Sequence, residues 1–113
     1  MEKILEQGLL FDFYGELLTE HQKKIYGEAV DNDMSLGEIA DEYGITRQGV
    51  HDLLKRSNHI LEEYEEKLQL VRKFTEIREK VSQIHQLTNQ QDLDREELAR
   101  QLRQLSDEIL EEL

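Results

Sequence analysis

The chain contains no proline, so none of its 113 residues is barred from the interior of a helix. Leucine, glutamate, glutamine, lysine and arginine, which are all good helix formers, make up more than half of it. No segment is a good candidate for a β-strand. The composition therefore predicts an all-α fold.

Cysteine is absent as well, which removes disulfides, thiolate metal sites and cysteine nucleophiles and favours a reducing compartment. The first residues mix Glu2, Glu6 and Asp12 among their apolar neighbours, unlike a secretory signal. No stretch approaches the roughly 20 apolar residues that a membrane helix requires. We expect a cytoplasmic protein that does not insert into membranes.

Helical spacing of apolar residues predicts a first helix over about residues 2–18. Thr19 follows, and its hydroxyl is placed to accept a backbone N–H from the first turn of a second helix, over about residues 20–30. Glu20 in that turn suits the positive end of the helix dipole. The polar string DNDMS then separates this pair of helices from the next segment.

Residues 35–56 show the pattern of a helix-turn-helix. Ser35 and Glu38 have the spacing of a capping box, Gly44 supplies the turn, and Thr46 caps the second motif helix. The motif also needs a small residue where its helices cross and apolar residues that lock them together. Ala40 is that small residue. The predicted inward residues are Ile39, Ile45, Val50, Leu53 and Leu54.

Two glycines, Gly37 and Gly49, lie inside the predicted motif helices. Each costs about 1 kcal/mol relative to alanine at such a position. We therefore expect backbone to pack closely on backbone at both.

With the apolar residues turned inward, the exposed face of the second motif helix is predicted to be polar and mostly basic. Arginine and glutamine near the start of such a helix have donors that reach base edges, and lysine and arginine toward its end suit phosphates. The candidate nucleic-acid-binding residues are Arg47, Gln48, His51, Lys55 and Arg56, with Asp52 on the same face.

This basic face belongs to an acidic chain, whose formal charge is −12. Residues 44–59 carry +2, which leaves −14 for the remainder. Any contact with nucleic acid should therefore be local and sensitive to salt, and avid non-specific binding is not expected. In the alternative interpretation, the cations pair with nearby carboxylates and the motif is a protein-interaction scaffold.

Residues 61–113 are predicted to form a helical, coiled-coil extension of a helix-turn-helix domain that covers residues 1–60. Apolar residues recur there at steps of three and four, within 60–84 and again within 98–113. The fourth helix runs on into this region or breaks once near 62–67, and Asp94 with Glu97 has the spacing of a capping box at the last helix. The two seams would fold onto each other, pair with a second chain or cover the amino-terminal core. Their regularity favours a homo-oligomer.

The charged side chains of the extension predict no site. Glu63 with Lys67, Glu76 with Lys80 and Glu96 with Arg100 are spaced as solvated ion pairs on helices, and the string EEYEEK is interpreted as a solvated face.

No constellation of catalytic or metal-binding residues is apparent in the sequence. The string GITRQG has the glycine spacing of a phosphate loop, but Val50 and His51 stand where lysine and serine or threonine are required. The four histidines are scattered without a metal-binding pair. We expect no enzyme activity, no cofactor and no metal.

Two blocks of the sequence resemble the YlxM family of small bacterial helix-turn-helix proteins. FDFYGELLTEHQ, residues 11–22, looks like the family's first-helix signature. SLGEIADEYGITRQGVHDLLKR, residues 35–56, followed by ILEEYEEKL, looks like its motif and the start of its long helix. The likeness covers most of residues 9–70 and does not extend to the tail.

The resemblance implies an all-α fold whose motif is similar to the promoter-reading region 4 of sigma factors. It also implies a regulatory role in the signal recognition particle pathway, with nucleic-acid contacts by Arg47, Gln48, Lys55 and Arg56. We therefore expect a binding protein that contacts the particle RNA or the particle GTPase. The alternative is a DNA-binding transcription regulator that acts as a dimer on a two-fold site.

Overall fold

A computed structural model describes residues 3–113, with side chains from residue 5 onward. The described residues form no strand, as the composition predicts. Their helices are α1 Lys3–Tyr14, α2 Glu20–Val30, α3 Leu36–Tyr43, α4 Arg47–Leu68, α5 Leu70–Thr88 and α6 Arg95–Glu112. Contacts divide the chain into a first unit that ends at Gln69 and a second unit, Leu70–Leu113. The predicted domain boundary after residue 60 falls inside α4. No helix in the described part is long and apolar enough to span a membrane.

The first helix ends four residues earlier than expected. Its backbone leaves helical geometry at Tyr14, and one turn of 3-10 helix, Gly15–Leu17, follows. Glycine is a poor helix former, which favours a break at position 15. The tighter turn carries Leu18 into the core. The expected start at residue 2 lies outside the described residues.

Gly15 lies beneath the aromatic ring of Phe11, and a Cβ added there would be 2.8 Å from the ring carbon Cδ1. The ring is held on its other side by Gly27 and Tyr26, so it has little room to move. We expect Gly15→Ala to lower the free energy of unfolding by roughly 1 to 3 kcal/mol, as overpacked cores do. Urea denaturation followed by circular dichroism measures the change.

Gly8→Ala is the matched control, because Gly8 lies in α1, just before the 3-10 turn, and an added Cβ there would meet only an ordinary contact at 3.9 Å. This substitution should be neutral or stabilise by up to about 1 kcal/mol. Equal effects at the two positions would contradict the packing of Phe11 described here.

The predicted caps of the first unit are present. Thr19 and Ser35 each form a complete capping box, with Gln22 and Glu38 as the reciprocal partners. Gly44 has a φ of 66°, the left-handed conformation that ends α3. These local signals place the start of α2 and both ends of α3 where the sequence predicted them.

The inward residues of the helix-turn-helix were also predicted correctly. Ile39 and Val50 are fully buried, and with Ile25 from α2 and Ala40 they form the motif core. The remaining predicted inward residues, Ile45, Leu53 and Leu54, pack against it. Helix α2 thus completes the core that the two motif helices begin.

Two buried tyrosines tie the first helices to α4. The hydroxyl of Tyr14 donates to Glu65 Oε1 at 2.6 Å, and the hydroxyl of Tyr26 donates to Asn58 Oδ1 at 2.9 Å. Burial raises the pKa of Tyr26 to about 12. The ring of Tyr14 also stacks on Tyr64. The interpretation of EEYEEK as only a solvated face was therefore wrong.

Helix α4 breaks once, as the sequence allowed, but beyond residues 62–67. It ends at Leu68. The next residue, Gln69, has a φ of 59° in the left-handed region, and its N–H donates to the carbonyl of Glu65 at 2.8 Å. A non-glycine residue rarely adopts this conformation, so no residue type marks the position of the break in advance.

The second unit is an antiparallel hairpin in which α5 packs against α6. Of the two predicted seams, Leu105 is buried, whereas Val81 is 51% exposed. The buried side chains of this unit are Val71, Leu87 and Leu105. Asp94 caps α6 by accepting the Glu97 N–H at 3.0 Å, without the reciprocal bond of a capping box.

The three predicted i,i+4 ion pairs are not among those of the described residues. Lys80 Nζ instead reaches Glu108 Oε2 on α6 at 2.9 Å, and Arg100 pairs with Glu97. Glu63 lies 3.1 Å from His59. Carboxylates from a neighbouring helix or turn compete with the i,i+4 partner, which sequence spacing alone does not show.

The pKa of Glu108 lies below its ordinary value because Lys80 donates a hydrogen bond to its carboxylate. A carboxyl group with a lowered pKa stabilises the fold above its unfolded-state pKa, and this contribution disappears as the pH falls through the folded-state pKa. Glu108→Gln should therefore lower the melting temperature at pH 7 and leave it unchanged at pH 3. Glu111→Gln, an exposed control on the same helix, should change neither value, and thermal denaturation at both pH values checks the pair.

Candidate nucleic-acid interface

The candidate interface is the start of α4, which two local features hold in place. Gly44 turns the chain after α3, and Thr46 then caps α4 by accepting the Gly49 N–H on its side-chain oxygen at 2.9 Å. Val50, one turn into the helix, is fully buried against α2 and α3. Ser57 is also fully buried, so the first three turns are fixed from behind and open to solvent in front.

The structure places all of the predicted site residues on that open face. The exposed residues are Arg47, Gln48, His51, Lys55 and Arg56, together with Asp52. The buried residues of α4 are Val50, Ser57 and Leu61, which lie on its opposite side.

Asp52 links two of the predicted residues to each other. Gln48 Nε2 donates to Asp52 Oδ1 at 2.9 Å, and His51 Nδ1 lies 3.6 Å from the same oxygen. The amide of Gln48 thus already uses one donor, whereas its side-chain oxygen can still accept a hydrogen bond from a base. The i,i+4 spacing of Gln48 and Asp52 was the signal in the sequence for their hydrogen bond.

The cations of the face are not neutralised within the described part of the chain. Arg47, Lys55 and Arg56 form no ion pair there, whereas Lys23 pairs with Glu16. The carboxylate pairs of the alternative interpretation are therefore not present among the described residues.

The acidic surplus of the chain belongs mainly to the unit that carries this face. Residues 1–69 hold sixteen acidic and seven basic side chains, a formal charge of −9 out of −12. The basic patch thus belongs to a unit whose net charge is negative, and that net charge limits the long-range attraction of a polyanion.

The two glycines of the motif face side chains, so the expectation of backbone packed on backbone was wrong. A Cβ added to Gly37 would lie 3.8 Å from Arg47 Nε, and one added to Gly49 would lie 3.1 Å from Thr46 Oγ1. The contact at Gly37 is an ordinary van der Waals distance, whereas Gly49 avoids crowding the capping hydroxyl of Thr46.

Sequence analysis missed Asn58, which lies two turns after His51 at the back of the interface. Asn58 accepts from the buried Tyr26 hydroxyl and donates to Glu62, so it couples α2 to α4 directly below the cations. A hydrogen bond between helices leaves no periodic signal in a sequence. Among the described residues, no group of histidine, aspartate and glutamate side chains is arranged to hold a metal ion.

Comparison with known proteins agrees with this geometry. The model of the UPF0122 family, described as YlxM/p13-like helix-turn-helix proteins, matches residues 1–104. UPF0122 proteins of Bacillus cereus (strain AH187), Bacillus anthracis (strain A0248) and Bacillus thuringiensis subsp. konkukian (strain 97-27) are each 43% identical over 98 residues, which is 87% of this chain and 89% of each relative. The match therefore reaches beyond residues 9–70 and into α6. The chain belongs to the UPF0122, or YlxM/p13-like, family of helix-turn-helix proteins.

Proposed function

We propose that this protein is a non-enzymatic regulator that binds nucleic acid in the cytoplasm through the exposed face of α4. One observation carries the proposal: Arg47, Lys55 and Arg56 stay exposed and unpaired, in the described part of the chain, on a helix whose start is fixed by a capped turn. Pre-positioned cations at the start of a helix are what a phosphate backbone and its base edges require.

The spacing on α4 separates two kinds of contact. Arg47 and Lys55 are eight residues apart, or about 12 Å along the helix axis, so they reach different phosphates. Gln48 and His51 lie between them with polar atoms that suit base edges. Asp52 repels phosphate and accepts hydrogen bonds, so it favours an exposed base amino group.

The partner that we propose is the RNA or the GTPase of the signal recognition particle. The likeness to the YlxM family supports this, and so does the acidic body, because a basic protein that itself binds RNA would be attracted to it. The proposal includes a homo-oligomer that forms through the carboxy-terminal helices.

A DNA-binding transcription regulator is the second candidate, favoured by the helix-turn-helix itself. A dimer that reads a two-fold DNA site must present its two motif helices about 34 Å apart on one face. RNA or protein partners impose no such spacing.

Two binding measurements together separate these candidates. The purified full-length chain is titrated by filter binding against signal recognition particle RNA and against duplex DNA at several salt concentrations, and a pull-down from native lysate is scored for the particle protein. Preferential binding to the particle RNA or protein supports the first candidate, and preferential binding to DNA supports the second. Failure to bind either nucleic acid, even at low salt, would contradict a nucleic-acid function.

A further inference from the structure

A cleft opens between α1, α2 and α4, beside the exposed face of α4. Its volume is about 380 Å³, which lies within the range of ligand pockets. Ala29 and Val30 of α2 and Leu54 of α4 form its apolar walls. The buried Tyr26 lies deepest, and its hydroxyl donates to Asn58 at 2.9 Å. This space is called the side cleft.

The opening of the side cleft is bordered by His51 and Lys55 of α4, which are both exposed. They follow Arg47 at steps of four residues, so the three side chains form one ridge along the helix. A phosphate backbone held by Arg47 and Lys55 runs along this ridge. It therefore carries its bases past the opening of the cleft.

The charge of the side cleft also suits a polyanion. Among the described residues, no acidic side chain lines it, and Lys55 contributes a positive charge. The neighbouring groove on the outer side of α4 contains Asp52 and Glu62 instead. Glu62 accepts a hydrogen bond from Asn58 and belongs to that groove. In an acidic unit, the side cleft is thus a space that a base can enter from the cationic ridge without meeting a lining carboxylate.

We propose that the side cleft receives an unpaired nucleobase of the nucleic acid whose phosphates bind to α4. The inference rests on the proposed function and narrows its ligand to a single-stranded or looped segment. Bases that are splayed out of a helix are the ones that proteins stack on side chains and read by their edges. A base in a continuous duplex would first have to leave its stack, at an energetic cost.

The lining of the cleft matches both parts of a base. The apolar walls cover its flat face, and the imidazole of His51 at the opening can stack on it. The amide of Gln7 on α1 offers a donor and an acceptor to the edge of the base, and Asn58 keeps one N–H that its bond to Glu62 does not use. An aromatic side chain of a protein partner would fill the walls and leave these amides without a use.

The first test compares probes on the full-length wild-type chain by fluorescence anisotropy. The probes are a fluorescein-labelled hairpin RNA with an adenosine loop, a fully paired RNA duplex with the same stem, and the hairpin with abasic loop positions. The intact hairpin should bind at least about tenfold more tightly than the duplex. The abasic hairpin should bind only as tightly as the duplex. A DNA hairpin of the same sequence distinguishes the source of the base: weaker binding than RNA assigns RNA, and equal binding assigns either strand.

The second test fills the cleft with Ala29→Leu. The affinity for the intact hairpin should fall to that for the duplex, whereas duplex binding should not change because Arg47 and Lys55 are untouched. Ala99→Leu is the matched control, because it adds the same side chain at an exposed position of α6 and should change neither affinity. Urea denaturation checks that Ala29→Leu folds. The abasic comparison uses the wild type and does not depend on that variant.

Three outcomes would overturn the proposal. Equal binding of intact and abasic hairpins would remove the base from the side cleft and leave α4 as a phosphate-binding face. Absence of binding to every probe, even at low salt, would remove the nucleic-acid function itself. If hairpin and duplex bind alike and Ala29→Leu instead loses the particle protein in the pull-down, the cleft receives a protein side chain.

Discussion

Replacing both Arg47 and Lys55 with alanine is expected to lower nucleic-acid affinity more than tenfold. Each side chain is exposed and unpaired in the described structure, so each is available for a charged contact. Loss of two such contacts removes on the order of 2 to 3 kcal/mol of binding free energy. The log-log salt dependence should flatten by about one unit for each lost phosphate contact. Filter binding at several salt concentrations measures both quantities.

The matched control replaces Lys24 and Lys67, two exposed lysines of the same unit that lie away from the start of α4. It changes the net charge equally and should leave the affinity nearly unchanged. The melting temperature should barely move in either double variant, because all four side chains are exposed. An unchanged affinity in the Arg47 and Lys55 variant would remove the nucleic-acid interface and leave a basic protein as the better partner.

Ile39→Ala is expected to have the largest effect on stability, a loss of roughly 2 to 5 kcal/mol in the free energy of unfolding. Ile39 is fully buried where α2, α3 and α4 meet, so its truncation leaves a cavity in the motif core. Nucleic-acid binding should fall with it, since the start of α4 is held from behind by this core. Urea denaturation followed by circular dichroism gives the free energy.

Leu5→Ala is the control for this prediction, because Leu5 is 60% exposed on α1. Its truncation should cost less than about 1 kcal/mol. A small loss for Ile39→Ala would mean that the motif core is not packed as described.

Much of the fold was predictable from the sequence because its signals are local. Ser35 and Glu38 define a capping box by spacing alone, and Gly44 is a residue that tolerates the left-handed turn. Helical periodicity correctly separated the inward from the outward side of α4. The same logic failed at Gln69, where a residue with no special preference for positive φ ends the helix.

The candidate site likewise contains features that the sequence predicted and features that it did not. Exposure of Arg47 and Lys55 follows from periodicity, whereas the coupling of Tyr26 to Asn58 depends on how two helices meet in space. Ion pairs were the least predictable feature. Lys80 had a carboxylate at helical spacing and found a different one on α6.

The placement of the acidic surplus bears on how this protein would search for its target. Proteins with broad basic surfaces bind any nucleic acid weakly and slide along it, so most of their copies are held by unrelated sequences. Here the unit that carries the α4 face has a formal charge of −9, and such a net charge disfavours non-specific attraction of bulk nucleic acid. If the proposed nucleic-acid binding holds, we expect such a molecule to reach its target by repeated collisions from solution, with most copies free between encounters. Its occupancy then follows the concentration of the true partner and is insensitive to the mass of nucleic acid around it.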